Sequence, residues 1–600
     1  MAYEYPRALP PITTQSVSRL RNAHSRAQLA AILGEQSKVL SYWLYKADLS
    51  TKYTQYSIPK KNGGWRYITA PQNGLKRIQT KLARLLADIY NDIEQRRLNE
   101  SFDGVTVSEC VLSHGFKDSY SIITNAKVHV GKNFVFNSDL ENFFPSISFG
   151  RVRGFFINDR NFRLHEDVAT AIAQIACYQN QLPQGAPCSP IISNFIAHML
   201  DIKLNKMAKK GNCSYTRYAD DLTFSTNEKH FPAEIARLVA GTTDRWVAGN
   251  GLISRVYASG FRINHDKSRM QLPMSRQETT GLTVNQKVNV PATYYKAARS
   301  MCDRLFKEGY CFEIVSGKWV EVPSVKLQGR MDFIHSVRMG RLGISLDHLP
   351  KKRFPTAYRD RENIFRGQQK AFSSIYEKLL NYRSFHEMVK PIIVGEGITD
   401  GLYINAAIRT IGGLYPRLFD PAGNGTLLVD FYKHSDKRKI YQIGEGAKPL
   451  GAFVKDYAKL MEPFKAKPSN PVIVVIDNDK EGREVLTAIG KRWGKTIDGK
   501  SSFYHLVSNL YVVPVPATGG VLTSIEDLFD STWLAAQDIS GRKFTKDNDF
   551  DSSTHFGKTQ FAGQIVRPKR ASIKWDGFKP LLQGIQDTIL DFELQSSPGT

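Results

Sequence analysis

Cysteine is scarce in this chain. Six occur in 600 residues, at positions 110, 177, 188, 213, 302 and 311, and none forms a CxxC pair. That scatter argues against a structural zinc site and fits reduced, buried thiols in a cytosolic protein. Long apolar runs are missing as well. No stretch reaches the roughly 18 residues of a membrane-spanning helix, so no membrane partner is expected. The opening Met1-Ala-Tyr-Glu-Tyr-Pro-Arg7 lacks the basic-then-apolar order of a secretory signal. Internal repeats and low-complexity tracts are absent. Acidic charge is in short supply, with 57 Asp and Glu against 82 Lys and Arg, a formal net charge of +25. Such an excess repels itself unless a polyanion is near, which points to nucleic acid. Mere solubility is the competing reading.

What is present is globular material: 42% hydrophobic and 11% aromatic residues. Six hundred residues exceed one hydrophobic core, so two or more domains are expected. Residues 15–100 read as helices around a short hairpin, Ile58-Pro-Lys-Lys-Asn-Gly-Gly-Trp-Arg-Tyr-Ile-Thr-Ala-Pro71, with an Asn-Gly-Gly turn. Asn133-Phe-Val-Phe-Asn-Ser-Asp139 reads as a strand ending in an acid. Residues 165–180 and 187–210 look helical. Tyr215-Thr-Arg-Tyr-Ala-Asp-Asp-Leu-Thr-Phe-Ser225 reads as a hairpin whose turn holds two acids. The basic, aromatic-rich stretch 290–385 is expected to be helical. From about 388 short apolar strands, Pro391-Ile-Ile-Val394 and Val472-Ile-Val-Val-Ile476, alternate with helical stretches, the pattern of a parallel α/β sheet.

Asp139 and the pair Asp220-Asp221 form a pattern with chemical meaning. Nucleotidyl transfer uses two divalent ions about 4 Å apart. Magnesium takes carboxylate oxygens and keeps some of its waters. Two adjacent acids in an otherwise apolar hairpin repel each other, and a cation relieves that repulsion. A solvated turn is the plain alternative, since Asp favours turns.

The surrounding residues narrow the choice. Tyr218-Ala-Asp-Asp221 resembles the YxDD box of reverse transcriptases. The hairpin around it, Leu182-Pro-Gln-Gly-Ala-Pro-Cys-Ser-Pro-Ile-Ile-Ser-Asn194, Gly260-Phe-Arg-Ile-Asn-His-Asp-Lys-Ser-Arg269 and Arg276-Gln-Glu-Thr-Thr-Gly-Leu-Thr-Val-Asn285 resemble retron reverse transcriptases in order and spacing over residues 58–285. An Asn-Ala…His element of that family has its counterpart in Asn125-Ala126…His129. The Val-Thr-Gly triplet reads Thr279-Thr280-Gly281 here, a departure at its first position.

The resemblance implies roles. Asp139, Asp220 and Asp221 would hold two Mg2+ ions. Phe144 would be the steric gate against a ribose 2′-hydroxyl. Gln184 would lie against the incoming dNTP, and Arg66 with Lys60 or Lys61 would hold its triphosphate. Lys267 would stand near the pyrophosphate leaving group as a general acid. The basic segment after residue 290 would be a thumb gripping a stem-loop of a cognate noncoding RNA. Template and primer would come from that RNA, synthesis would start at a guanosine 2′-hydroxyl, and the product would be branched msDNA. A bacterial cytoplasmic location and a part in anti-phage defence follow from the same resemblance. A group II intron type of enzyme is the rival, but its maturase and HNH-type segments are not found after the acids.

The second half carries its own acids. Ile392-Ile-Val-Gly-Glu-Gly-Ile-Thr-Asp400 puts Glu396 after one strand, and Val472-Ile-Val-Val-Ile-Asp-Asn-Asp-Lys-Glu-Gly482 puts Asp477 and Asp479 after another. Acids beyond the carboxyl ends of parallel strands converge in one crevice. Helix capping is the plain alternative for each acid taken singly. The arrangement resembles the Toprim domain, a Glu followed by Asp-x-Asp-x-x-Gly, with Glu526 or Asp527 of Ser524-Ile-Glu-Asp-Leu-Phe529 available to complete the site. That resemblance implies one or two Mg2+ held by Glu396, Asp477, Asp479 and Glu526, and nuclease action on a host RNA or DNA.

The expected architecture is multidomain α+β and α/β: a right-hand polymerase (fingers, palm, thumb) followed by a Rossmann-like Toprim domain. The divisions are 1–290 fingers and palm, 291–387 thumb, 388–530 Toprim, and 531–600 a basic C-terminal extension whose densest cluster is Arg567-Pro-Lys-Arg570. The competing readings are a Toprim part that binds nucleic acid or a partner without cutting, and a free-standing general-purpose reverse transcriptase. Oligomeric state is left open, with a homo-oligomer among the alternatives.

Overall fold

The computed structural model describes residues 15–60, 63–100, 111–341, 365–433, 443–517, 521–547 and 549–596, with backbone alone at 15, 49, 95–100 and 341. Lys61, Cys110, the later part of the basic segment at 342–364, the opening heptapeptide and the last four residues fall outside these. Among the described residues, no helix is long and apolar enough to cross a membrane. The chain forms two compact units, Met1–Ala292 with Ile334–Leu349 and Thr293–Phe333 with Pro350–Thr600.

In the first unit, β1 (Tyr53–Pro59) and β2 (Trp65–Pro71) form an antiparallel hairpin. Its turn needs left-handed backbone at Gly63 (φ 88°) and Gly64 (φ 78°), which glycine supplies without strain. Helix α1 (Asn73–Glu100) follows. A four-stranded antiparallel sheet is built from β3 (Phe134–Leu140), β4 (Ser214–Tyr218), β5 (Asp221–Thr226) and β6 (Ile263–Gln271), in the order β4-β5-β3-β6. Helices α2 (Phe149–Asn158), α3 (Glu166–Ala176) and α4 (Ser189–Lys210) bury their apolar faces, including Val152, Phe156, Ile172 and Leu200, in the core that the sheet also fills. α4 starts with Pro190 in its first turn and ends on Lys209 and Lys210 before Gly211, as helix-end chemistry favours.

Behind the β4–β5 turn lies a charge pair with no solvent exposure. The Arg217 guanidinium donates to Asp201 Oδ1 at 2.7 Å and Oδ2 at 2.8 Å. It also donates to the Ala219 carbonyl at 3.0 Å, inside the turn itself. Tyr215 donates its hydroxyl to the same Asp201 at 2.8 Å. Burial disfavours the Arg217 charge, but Asp201 more than offsets this, and the pKa of Arg217 sits above its ordinary value.

After the first sheet the chain forms α5 (Ala292–Glu308), β7 (Phe312–Val315), β8 (Lys318–Glu321), α6 (Ser324–Arg341) and α7 (Lys370–Phe385), of which Thr293–Phe333 and α7 belong to the second unit and the end of α6 from Ile334 to the first. The stretch expected to be helical thus contains a hairpin. Ser316 (φ 51°) and Gly317 (φ 79°) form a two-residue turn with both angles positive, the geometry that matches strand twist. The five-stranded sheet comprises β9 (Ile392–Val394), β10 (Asp430–Phe431), β11 (Val472–Ile476), β12 (Tyr504–Val507) and β13 (Leu510–Pro514), in the order β10-β9-β11-β13-β12. Only β12 runs antiparallel to its neighbour.

Helices α8 (Ile398–Ile411), α9 (Ala447–Met461), α10 (Lys480–Trp493) and α11 (Lys579–Ser596) accompany this sheet. Strand alternation sends Val394, Val474 and Ile476 into one core with α9 and α10. Ile393, Ile473, Val475 and Val513 enter another with α8 and α11. Residues set apart in sequence as a basic extension therefore supply Phe561, Trp575, Leu582 and Ile585 to the second core. Tyr511 donates to Asp591 of α11 at 2.8 Å.

Removing one partner of a fully buried ion pair strands the other charge. Asp201→Ala is expected to lower unfolding stability by about 3–5 kcal/mol, and Asp201→Leu with Arg217→Met to lose much less. Urea unfolding measures both. A single-variant loss below about 1 kcal/mol would contradict the role given to this pair.

Candidate active sites

The sheet of the first unit sets three carboxylates side by side. Asp139 of β3 lies opposite Asp221 of β5 and opposite Asn264 of β6. Opposed residues in antiparallel strands have Cβ atoms roughly 5 Å apart. Asp220 occupies the turn, and its carbonyl accepts the Leu140 N–H at 3.0 Å. Ala219 before it has φ 57°, and the Arg217 bond to its carbonyl holds that conformation. Gly115 passes close behind, where a Cβ would come within 2.6 Å of the Ala219 nitrogen.

Burial and the other two acids push the Asp221 pKa up to about 7. Asp220 is raised by burial and then by Asp139, with Lys267 and Arg66 opposing the shift. The Lys267 ammonium donates to Asp139 Oδ2 at 2.8 Å, and Asn264 donates to Oδ1 at 3.3 Å. Burial lowers the Lys267 pKa, but the carboxylates outweigh it and raise the net value.

The residues beside the acids are placed by the backbone. Gln184 accepts the Thr69 N–H at 2.7 Å through its carbonyl. Gly185 (φ 112°) has room for no side chain, since a Cβ would meet Ile68 Cγ2 at 2.7 Å. The Pro183-Gln184-Gly185 turn is thereby stitched to the β1–β2 hairpin. Arg66, on the Ile68 face of β2, acts electrostatically on Asp220. Lys60 is exposed where the hairpin turn begins. Phe144 is half-buried between Phe116 and Phe143, with ring centroids 5.9 and 5.3 Å away, whereas Phe143 is 3% exposed and stacks on Phe261. His129 bridges β4 and β5, contacting Thr216 Oγ1 and Ser225 Oγ at 2.7 Å each. Burial pushes its pKa down to about 3, so it is a neutral structural tie.

The second unit gathers its acids at the carboxyl ends of β9 and β11. Glu396 Oε1 accepts the Asp477 N–H at 2.9 Å, and Asp477 Oδ1 accepts the Ile525 N–H at 2.9 Å. Asp479 caps α10 by accepting the Gly482 N–H at 2.8 Å. Gly482 cannot be replaced without movement, because a Cβ would sit 1.8 Å from the Asp477 carbonyl oxygen. Of the pair at 526–527, Glu526 is fully buried toward this cluster, while Asp527 turns away to Ser524 and Lys546.

Two groups that no sequence assignment named join this site. Asp400, buried at the start of α8, accepts the Gly397 N–H at 2.9 Å. Lys558 donates to Glu526 Oε2 at 3.1 Å. Burial and then Glu396, Asp400 and Glu526 push Asp477 up to about 8. Burial, with Asp400 and Asp479 contributing, pushes Glu396 up to about 7. Asp400 lay inside the quoted Glu396 motif. Lys558 is more than 150 residues from Glu396 and carries no local signal.

Among the described residues no group of three or more His, Cys, Asp or Glu closes into a ready cage for a metal ion. The donor sets are nevertheless oxygen-only, the kind magnesium takes through one or two carboxylates while keeping waters. Each set repels itself, and each has an ammonium group drawn onto one of its carboxylates. A cation is what both clusters lack electrostatically, so the residues fit magnesium.

The family described as reverse transcriptase (RNA-dependent DNA polymerase) matches residues 58–287. The retron Ec86 reverse transcriptase of Escherichia coli is 32% identical over 321 residues, covering 53% of this chain and 85% of that protein. The retron Mx162 reverse transcriptase of Myxococcus xanthus is 33% identical over 290 residues, covering 44% of this chain and 54% of that one, so this chain spans about half the length of that relative. A solved telomerase from Candida albicans, in complex with a fragment of telomeric RNA, shares 10% identity at a TM-score of 0.27. It covers 55% of this chain and 63% of its own, a likeness too slight to carry an argument.

The raised acids of the second site imply a pH effect. Glu396 and Asp477 hold their protons longer folded than unfolded, so the stability they contribute is full below about pH 4. It is lost as pH rises through 7 to 8, the folded values of the two groups. In divalent-free buffer, thermal melts of Asp477→Asn are expected to fall less than wild type between about pH 5 and about pH 8.5. Equal slopes would count against the repulsion.

Proposed function

The chain belongs to the retron reverse transcriptases, RNA-directed DNA polymerases, and from that premise we propose that it makes branched msDNA from a cognate noncoding RNA and carries a Toprim nuclease effector in its second unit. The observation that carries the polymerase half is the register pairing of Asp139 with Asp221, with Asp220 in the adjoining turn. The nuclease half rests on Glu396, Asp477 and Glu526 converging beyond parallel strands.

In this reading Asp139, Asp220 and Asp221 hold two Mg2+ ions, which supply charge neutralisation and a more acidic primer hydroxyl. Arg66 and Lys60 face the triphosphate of the incoming dNTP. Gln184, fixed by its bond to Thr69, lies along the nucleotide. The primer hydroxyl, a 2′-hydroxyl at initiation, attacks the α-phosphate and pyrophosphate leaves. Lys267, kept as an ammonium by the neighbouring carboxylates, is placed to give the leaving group its proton. Phe144 excludes a ribose hydroxyl. In the second unit Glu396, Asp477, Asp479 and Glu526 hold one or two Mg2+, and the Lys558 ammonium is available to a substrate phosphate. A host RNA or DNA is the substrate class, in anti-phage defence with msDNA as the restraint.

A second reading has a specific observation behind it. Asp477, Asp479 and Glu526 already have intramolecular partners. A cluster so satisfied also suits a module that binds nucleic acid or a partner without cutting it.

The test compares cells carrying the gene with its noncoding RNA locus, with and without phage. Asp220→Ala with Asp221→Ala is expected to abolish branched DNA, and Asp477→Ala to leave it intact. New nucleic-acid breaks on infection, absent in Asp477→Ala, support the nuclease. Branched DNA without any Asp477-dependent break favours the binding module, and no branched DNA from the intact locus contradicts the msDNA reading. For the purified protein, Phe144→Val is expected to raise ribonucleotide incorporation by about tenfold or more, about 1.4 kcal/mol of lost discrimination. Unchanged discrimination removes Phe144 from the gate.

A further inference from the structure

Helix α8 runs outward from the second acid cluster, and its outer face takes no part in the core. Ile398, Leu402, Asn405 and Arg409 recur at steps of four, three and four, so they form one stripe along the helix. The opposite face is the buried one, with Tyr403, Ile404, Ala407 and Ile408 in the core. Ile398 is 54% exposed, Leu402 is 43% exposed and Arg409 is open to solvent. Arg409 Nε donates to Asn405 Oδ1 at 2.9 Å, a bond within the stripe. The stripe begins two residues after Glu396. At the rise of an α-helix it is about 16 Å long from Ile398 to Arg409.

A second segment follows a flank of the same helix. The Tyr403 hydroxyl donates to the Lys558 carbonyl at 3.4 Å, and Thr410 Oγ1 donates to the Arg570 carbonyl at 3.5 Å. The first anchor is near the acids, where Lys558 meets Glu526, and the second is at the far end of α8. Phe561, Ala562, Ile565 and Val566 pin the stretch between them to the core. Arg567, Lys569 and Arg570 are exposed, and like Arg409 they make no ion pair among the described residues. Because Arg570 lies beside Thr410, these four cations gather at the end of α8 remote from the acids.

The charge and the apolar stripe together select the occupant. No Asp or Glu occurs from 401 to 419 or from 552 to 575, so no neighbour in sequence answers the four cations. A polyanion does. Ile398 and Leu402, between the cations and the acids, gain only from a polyanion that also offers apolar faces. A duplex turns its phosphates outward and stacks its base faces inside, whereas an unpaired strand presents both.

We propose that the outer face of α8, from Ile398 and Leu402 to Arg409, together with Arg567, Lys569 and Arg570, is a track that holds an unpaired nucleic-acid strand leading to the Glu396–Asp477 site. This rests on the nuclease reading of the second unit and narrows its substrate to strands with an unpaired stretch. Bases and sugars meet the aliphatic end and phosphates the cationic end. At stacked spacing the stripe accommodates about five nucleotides.

The full-length protein is given labelled strands of about three and about twenty nucleotides, and a duplex of the longer one, each as RNA and as DNA. Cleavage with magnesium present gives kcat and KM. Arg409→Gln with Arg567→Gln and Arg570→Gln is expected to raise KM for the long strand about tenfold. Its kcat, primer extension by the first unit and cleavage of the short strand are expected to stay unchanged. Loss of three phosphate contacts is expected to lower the salt slope of KM by about 2. Lysine at the same three positions is expected to restore most of the loss, which a merely structural role would not predict. Ile398→Ser with Leu402→Ser is expected to reduce the preference for strand over duplex. The track is overturned if the triple Gln variant keeps the wild-type KM, if short and long strands lose equally, or if wild type cuts duplex as readily as strand. Photocrosslinking of the long strand, mapped by mass spectrometry, needs no cleavage. Label in residues 398–411 and 558–574 supports the track, and label confined to the first unit overturns it. If wild type cuts none of these nucleic acids, the nuclease reading fails, and the crosslinks still judge the track.

Discussion

Carboxylates crowded together out of water repel one another, and in both units the local architecture answers that repulsion. Each cluster is assembled at the ends of inner strands of a sheet whose interior is apolar, where charge is poorly screened. Desolvation is the largest influence on Asp221, Asp477 and Glu396, and neighbouring acids add to it. A fold would shed such groups unless a cation or a proton made them tolerable. The acids are held instead by backbone that has few alternatives: a strand register at Asp139 and Asp221, and amide donors at Glu396 and Asp477.

The rigidity behind the first cluster comes from Arg217. Its guanidinium fork takes both oxygens of Asp201 and still reaches the Ala219 carbonyl, which a lysine could not do at once. Ala219 has a positive φ that a non-glycine residue adopts reluctantly. A buried, bidentate ion pair is an expensive way to hold a turn, and it makes sense where the turn's position within a fraction of an ångström matters. The second cluster is held differently, by helix-cap geometry. Gly482 must lack a side chain so that α10 can start against the Asp477 carbonyl, and the motif glycine is explained by that contact alone.

Much of this was legible in the sequence because the informative features are local. The Tyr218–Asp221 hairpin, the strand ending at Asp139, the Asn-Gly-Gly turn and the acids after two apolar strands each carry their signal within about ten residues. Features formed by distant segments were not legible. Lys558 reaches Glu526 from a segment that looked like a basic extension, and only packing of Phe561 and α11 on the sheet brings it there. Asp201 lies in a stretch whose sequence says only helix, and its role comes from Arg217, which packs against it from another element. The β7–β8 hairpin was hidden because basic and aromatic residues suit helices and strands alike, and the deciding residues were only Ser316 and Gly317.

The two lysines that answer the two clusters differ in a way that separates their uses. Lys267 has a side chain 58% exposed, and its carboxylate Asp139 keeps a second donor in Asn264. It can leave Asp139 for solvent or for a leaving group without stranding a buried charge. Lys558 is 33% exposed and faces Glu526, which is wholly buried and whose Oε1 has no hydrogen-bond partner among the described residues. Withdrawing Lys558 would leave that carboxylate bare in a poorly screened site, at a larger free-energy penalty than any surface pair incurs. The first arrangement suits a group that delivers a proton and returns. The second suits a fixed positive charge that moves only when another cation takes its place, so filling the second site is expected to be coupled to displacement of Lys558 and filling the first to be nearly free of such a cost.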